Sequence, residues 1–227
     1  GSDMKTVEQM VQQADALREL VEKVMQPGIH FGVPFDTGEG KQKPKPTLLL
    51  PGAQMLADYW ELSAKYDVTE EQPAPGHKTF TVKCVLTDET GRHRGEGFGM
   101  ASTYESKYRY KNINQPTDIP VPREYWDAKR EGNYSEAQRL LGGPGRGVCK
   151  NDDGRWVVSI KEKVENPDIA DVFVTVLKIA QKRAFVGAVL QTTGSSSAFT
   201  QDVDDHDVAK AVGLEAVYEP REGVQTY

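Results

Sequence analysis

Apolar positions recur at helical spacing from residue 5 to 26 (KTVEQMVQQADALRELVEKVMQ), where Val7, Met10, Val11, Ala14, Leu17, Val21 and Val24 form one stripe closed by Pro27-Gly28. Residues 27–46 carry prolines and glycines and read as a loop, with Ile29, Phe31, Val33 and Phe35 alternating inside it. His30 reads there as a loop histidine with no role. Leu48–Leu50 suggests a short strand. Gly52–Leu62 suggests a helix burying Met55, Leu56, Tyr59 and Leu62.

The period then changes to two. Tyr66–Thr69 and Thr79–Thr87 alternate as strands, the second with Phe80, Val82, Cys84 and Leu86 on one face. Asp88-Glu89-Thr90-Gly91 supplies a hairpin turn, and Arg92–Ala101 returns as a glycine-rich third strand. Residues 112–166 contain Pro116, Pro120, Pro122 and the run GGPGRG. They read as an irregular insertion with a short helix over Ser135–Leu141 and a strand over Arg155–Ile160. GGPGRG lacks the GK[ST] ending of a phosphate loop and reads as a flexible turn. A long helix follows over 168–193, opened by Asn166-Pro167-Asp168 and stopped by Gly194.

The pattern predicts an α+β fold: a β-β-β-α core, an antiparallel β-sheet packed on a long helix, with an N-terminal helix and an irregular insertion. The expected divisions are 1–46 (helix and loop), 47–200 (core, with the insertion at about 112–166) and 201–227 (an acidic extension, with the residues after Gly194 partly ordered).

Within the long helix, apolar residues occupy most of the circumference, and a narrow polar stripe runs through Asp171, Thr175, Lys178 and Lys182 with Arg183 on its flank. Taken alone, the helix favours solvated lysines and an arginine lying over a neighbour. Upstream, residues 102–111 (STYESKYRYK) interleave Tyr104, Tyr108 and Tyr110 with Lys107, Arg109 and Lys111. That run reads either as a grip on nucleic acid, cations on phosphates and rings on bases, or as a strand end with packed tyrosines and solvated charges.

Composition bounds these readings. The chain has 227 residues, 37% hydrophobic and 27% charged, as in a soluble protein. No run reaches membrane-spanning length, so no membrane partner is expected. No basic segment followed by an apolar one opens the chain, so secretion is not expected either. Gly1-Ser2-Asp3 reads as a non-native leader before Met4. Cys84 and Cys149 stand apart from any CxxC or Cys/His cluster, which argues for a reducing compartment and against structural zinc.

The net charge of −6 is unevenly spread: from Gln201 onward, seven acids face only Lys210 and Arg221, whereas residues 78–111 hold seven Lys/Arg against four Asp/Glu. An acidic total therefore leaves room for a local basic groove. Asp202, Asp204, Asp205, His206 and Asp207 lack the glycine turn and distal Glu of a calcium loop and read as a solvated acidic run; no metal and no cofactor is expected. His30, His77, His93 and His206 lie in unrelated contexts, and Ser195–Ser197 has no GxSxG setting, so the chain is not expected to be an enzyme. A metal nuclease using Glu96, Glu105 and the Asp cluster is the minor alternative.

The segments LLLPGAQMLADYWELSAKYDV, KTFTVKCVLTDETGRHRGEGFGMASTYES and VLKIAQKRAFVGAVLQTTG, in that order, resemble the core of the Rad-fifty-two-type single-strand annealing proteins, especially their phage and mobile-element branch. Gly52, Gly97-Phe98-Gly99 and Lys182-Arg183-Ala184 carry the likeness, which covers a little over a third of the chain. The resemblance implies a β-β-β-α core assembling as a homo-oligomeric ring or filament that holds single-stranded DNA and promotes annealing in DNA recombination and repair. Its setting would be the cytoplasm of a prokaryotic cell or phage-infected host, with a nuclease or single-strand binding protein as a possible companion. It assigns Lys182 and Arg183 to the DNA groove; Lys178, Lys107, Arg109, Lys111, Tyr108, Arg92 and Arg94 are the added DNA-binding candidates. Gln54 departs from the family, whose members carry a basic residue there, and the 112–166 insertion is a second departure. The competing expectation is a non-catalytic scaffold or adaptor of a recombination or defence complex.

Overall fold

A computed structural model describes residues 4–33 and 45–201. The elements run α1 (Val7–Lys23), β1 (Phe31–Gly32), β2 (Thr47–Leu48), α2 (Leu50–Tyr59), β3 (Ser63–Glu71), β4 (Thr79–Thr87), β5 (His93–Ser102), α3 (Ser106–Arg109), β6 (Tyr110–Pro120), α4 (Arg123–Arg130), α5 (Tyr134–Leu140), β7 (Arg146–Lys150), β8 (Trp156–Glu165) and α6 (Phe173–Thr192). The fold is α+β, and it divides into two units. The first comprises the chain up to Tyr104 and from Ala170 onward; the second is Glu105–Ile169.

In the first unit, α1 begins at a capping box. The Gln9 amide donates to the Thr6 hydroxyl, and Gln9 Oε1 accepts from the Thr6 N–H at 2.8 Å. Leu17 is buried, but Val7, Met10 and Val11 remain exposed, so the apolar stripe of α1 is only partly covered. Gln13 Nε2 donates to the Thr193 carbonyl at the end of α6. His30 has a structural part: its Nδ1 accepts the Gln26 N–H at 2.8 Å and its carbonyl accepts the Leu49 N–H. That carbonyl approaches α2 so closely that a Cβ on Gly52 would fall 2.0 Å from it. α2 ends at Tyr59, before Glu61 turns to φ 54°, so Tyr59 is half exposed instead of buried.

The sheet of this unit is an antiparallel meander, β3-β4-β5. Phe80, Val82, Cys84 and Leu86 face inward as their alternation predicts. On β5 the inward positions are Gly95, Gly97 and Gly99, and α6 lies directly on them. A Cβ on Gly97 would meet Ala188 N at 2.4 Å and Ala184 O at 2.6 Å. One on Gly99 would meet Ala180 O at 2.2 Å, and one on Gly95 would meet Thr192 Oγ1 at 2.2 Å. Ala180, Ala184, Ala188 and Thr192 are four apart, a helical row stepping by about 6 Å; alternate residues of a strand step by about 6.7 Å. The two rows run antiparallel in near-register, backbone against backbone. The segment from Ser195 to Thr200 packs into this core: Phe199 is 2% exposed, its ring lies 5.8 Å from that of Phe31, and Thr200 bonds to Leu48 and Pro46. Residues 202–227, with most of the acidic extension, lie outside the described residues, as do Phe35 and most of the 34–46 loop.

The second unit corrects the reading of 112–166 as irregular. It is a three-stranded antiparallel sheet in the order β6-β8-β7 with two helices on a core of Tyr125, Ala128, Ala137, Leu141 and Val158. The predicted helix and strand are present as α5 and β8, the latter extending to Glu165. Pro116 and Pro120 sit in β6, an edge strand, the position in a sheet that tolerates proline, and the β6–β8 register shifts between them. GGPGRG is a turn with Gly142, Gly143 and Gly145 at positive φ, held by Gln138 Nε2 on the Gly143 and Arg146 carbonyls.

Candidate nucleic-acid interface

The long helix expected over 168–193 is α-helical only from Phe173 to Thr192; Asp171, the first residue of the expected stripe, lies in a 3-10 turn over Ile169–Val172, and Thr175, Lys178 and Lys182 carry the stripe on α6. Val176, Ala180 and Ala184 are buried against the sheet, while Asp171, Thr175 and Lys178 are exposed and Lys182 is half-buried. From Ala184 to Leu190 every side is buried, so the accessible edge is confined to the first half of the helix. Arg183 is turned onto β5: Nη1 donates to the Met100 carbonyl at 2.7 Å, and its Cβ is among the atoms that exclude a side chain at Gly99. The Arg183 carbonyl accepts from Gln201 Nε2. Arg183 therefore satisfies the Met100 carbonyl of β5, a structural task beside any part in binding.

Arg92 and Arg94 sit at the opposite end of this packing. Gly95 lies against Thr192, ten residues beyond Lys182, a displacement of about 15 Å along the helix axis. Asp88 organises their turn: its Oδ1 accepts from the Thr90 hydroxyl and from the Thr90 and Arg92 amides, and its Oδ2 lies 3.6 Å from Arg94. The Thr90 hydroxyl and these further donors hold the Asp88 carboxyl below its usual range. Glu89, on the same turn, is pushed upward because its protonated carboxyl can donate a hydrogen bond to the Glu61 carboxylate, whose charge also opposes ionisation of Glu89. The hairpin tip is thus of mixed charge, and Arg92 and Arg94 do not extend the stripe of Lys178 and Lys182.

Lys107, Tyr108, Arg109 and Lys111 belong to the second unit, where each cation has a carboxylate beside it. Arg109 forms a fork with Glu165 (Nε–Oε1 3.0 Å, Nη2–Oε1 2.9 Å) and lies over the Tyr110 ring. Lys111 is 3.8 Å from Asp168, and Lys107 is 4.0 Å from Glu105 and over the Tyr108 ring. The Tyr108 carbonyl accepts from Asn166 Nδ2. Lys163, 4.3 Å over Tyr110, was not among the predicted residues; the alternation of Lys161, Lys163 and Glu165 in β8 was the signal for it. The nine predicted residues therefore divide between two units: Lys178, Lys182, Arg183, Arg92 and Arg94 in one, Lys107, Tyr108, Arg109 and Lys111 in the other.

Gln54 is exposed on α2. Glu96, the first of the residues considered for a nuclease, is engaged by Lys83 at 3.4 Å and His93 at 3.6 Å. The Asp202–Asp207 cluster lies outside the described residues, and no helix among the described residues is long and apolar enough to cross a membrane. In comparisons with known proteins, the chain matches no family, no curated sequence and no solved structure.

Proposed function

We propose that the chain is a single-stranded DNA-binding protein that promotes strand annealing in recombination, acting as a homo-oligomer. The observation that carries this reading is the β-β-β-α core, in which glycine-lined β5 lies on α6 and leaves Lys178 and Lys182 on the accessible edge of the helix. Annealing makes and breaks no covalent bond. It requires cations that hold one strand by its phosphates while the base edges stay available for a complementary strand. Such binding is weakly dependent on sequence and strongly dependent on salt, because each neutralised phosphate releases counterions.

The direct test is fluorescence-anisotropy titration of labelled oligo-dT at several salt concentrations. Lys178→Ala/Lys182→Ala is expected to bind several-fold more weakly and to flatten the log–log salt slope by about 1.4, the loss of two phosphate contacts on a single strand. Arg183 is left intact because its removal also strips the Met100 carbonyl of its partner. Wild-type affinity and slope in the double variant overturn the assignment. The carboxylate neighbours of Lys107, Arg109 and Lys111 favour a second reading, a scaffold that binds protein rather than DNA. That reading predicts no mobility shift of single-stranded DNA at physiological salt.

A further inference from the structure

The two edges of the β3-β4-β5 sheet are treated differently. On β5 the Arg183 guanidinium sits on the Met100 carbonyl and takes up one acceptor of that edge. β3 has β4 on one side and no strand on the other among the described residues, although it is nine residues long. α6 packs chiefly on β5 and β4, so the inward positions of β3 are incompletely covered: Tyr66 is 36% exposed and Val68 49%. A long edge with apolar residues on one face is a template for another strand.

We infer that the β3 edge pairs with β3 of a second copy of this chain, antiparallel about a two-fold axis through Tyr66. Charge and pleat choose both the occupant and the register. Pairing two identical strands so that inward residues meet inward residues leaves three central registers. With Asp67 on the axis, two like carboxylates face each other. With Val68 on the axis, Lys65 faces Glu71, but Tyr66 on the inward face stands opposite Glu70, a residue already committed to Lys78 at 3.2 Å, and Asp67 meets only Thr69. With Tyr66 on the axis, Lys65 lies opposite Asp67 of the second copy, twice by symmetry. Tyr66 then meets Tyr66, and Ala64 meets Val68 on the uncovered inward face. Opposite charges directly across an antiparallel pair stabilise it and like charges oppose it. A charged edge ordinarily keeps copies apart; here the two charges are complementary under the two-fold operation that joins identical strands. The result is a continuous six-stranded sheet with one α6 from each copy on the same face.

This inference deepens the self-association in the proposed function, and it is tested without DNA, so its failure is distinct from failure of the DNA-binding reading. Sedimentation velocity of the full chain over a concentration series is the measurement. The wild type is expected to show a reversible monomer–dimer step. Lys65→Asp, which sets Asp against Asp, and Asp67→Lys, which sets Lys against Lys, should each weaken that step by roughly tenfold or more. The double variant K65D/D67K carries the swapped pair on both copies and should restore it. Circular dichroism checks that each exposed substitution leaves the fold intact. A wild type that is monomeric throughout, single variants that associate like the wild type, or a swap that fails to restore association each overturns the inference.

Discussion

The two units are made of the same parts, a three-stranded antiparallel sheet with helices on one side, and they use glycine in opposite ways. In the first, Gly95, Gly97 and Gly99 have ordinary extended φ, and what they supply is space: α6 occupies the volume a Cβ would need. In the second, Gly142, Gly143 and Gly145 have positive φ, and a Cβ on Gly143 or Gly145 would meet nothing within 4 Å. Their contribution is conformation. The first unit closes by bringing backbones together, and the second by gathering bulky side chains around Val158 and Leu141. Core truncation and glycine substitution should therefore have different consequences in each.

Each unit also contains one cysteine, which makes the comparison measurable. Cys84 is fully buried in β4, and burial pushes its thiol up to about 11, whereas Cys149 in β7 is half-buried. The largest effect is expected from Leu141→Ala, which empties part of the small core: about 3 kcal/mol in the second unit. Thiol labelling under native conditions should then accelerate at Cys149 and stay slow at Cys84. Equal acceleration at both sites would show that the two units open as one and remove the basis for treating them separately.

The glycines give the next contrast. Gly97→Ala forces the Ala184 and Ala188 backbone away from β5 and should cost about 2 kcal/mol, read as faster labelling of Cys84. Gly143→Ala meets open space but must hold φ near 124°, a cost of about 1 kcal/mol, read at Cys149. If the two substitutions are equally damaging, or if Gly143→Ala is the worse, the distinction between space and conformation is wrong.

The same contrast explains what was legible before the structure. Phe80, Val82, Cys84 and Leu86 announce β4 because a sheet with one face on a helix must alternate, and the apolar circumference of α6 announces a helix enclosed on most sides. Gly97 and Gly99 mark a close approach in the sequence, but their partners Ala180, Ala184 and Ala188 are visible only once strand and helix are in register. The second unit was hidden because its signals conflict locally. Prolines inside β6 argue against a strand unless it is known to be an edge, and β6 reaches its partner β8 only across two helices and a third strand. For the candidate interface, the stripe of Lys178 and Lys182 was readable from helical spacing, whereas the attachment of Arg183 to the Met100 carbonyl and the pairing of Arg109 with Glu165 depend on register between distant segments.

The smallest effect expected concerns a turn that the chain builds twice. Asp88-Glu89-Thr90-Gly91-Arg92 and Asn151-Asp152-Asp153-Gly154-Arg155 share one hydrogen-bond pattern. The first residue's N–H donates to the carbonyl of the fifth, its carbonyl accepts the glycine N–H, and its side-chain oxygen accepts the N–H of the arginine at 3.1 Å in one and 2.9 Å in the other. The glycines have φ of 83° and 76°. The difference is that Asp88 titrates and Asn151 does not. Because the Asp88 carboxyl is held below its usual range when folded, its ionised form contributes stability that is present above the ordinary carboxylate value and is lost as pH falls through the lowered one. Asp88→Asn converts the first turn into the second and should remove that acid-sensitive part. The melting temperature of the wild type is thus expected to exceed that of the variant at neutral pH, with the gap narrowing on acidification below about pH 4. Glu89→Gln should show the opposite slope, since the Glu61 carboxyl raises Glu89 and ionisation of Glu89 opposes folding. Differential scanning fluorimetry across this range separates the cases; parallel curves for wild type and Asp88→Asn would mean that the acceptor at the head of this turn acts as a neutral group, as Asn151 does.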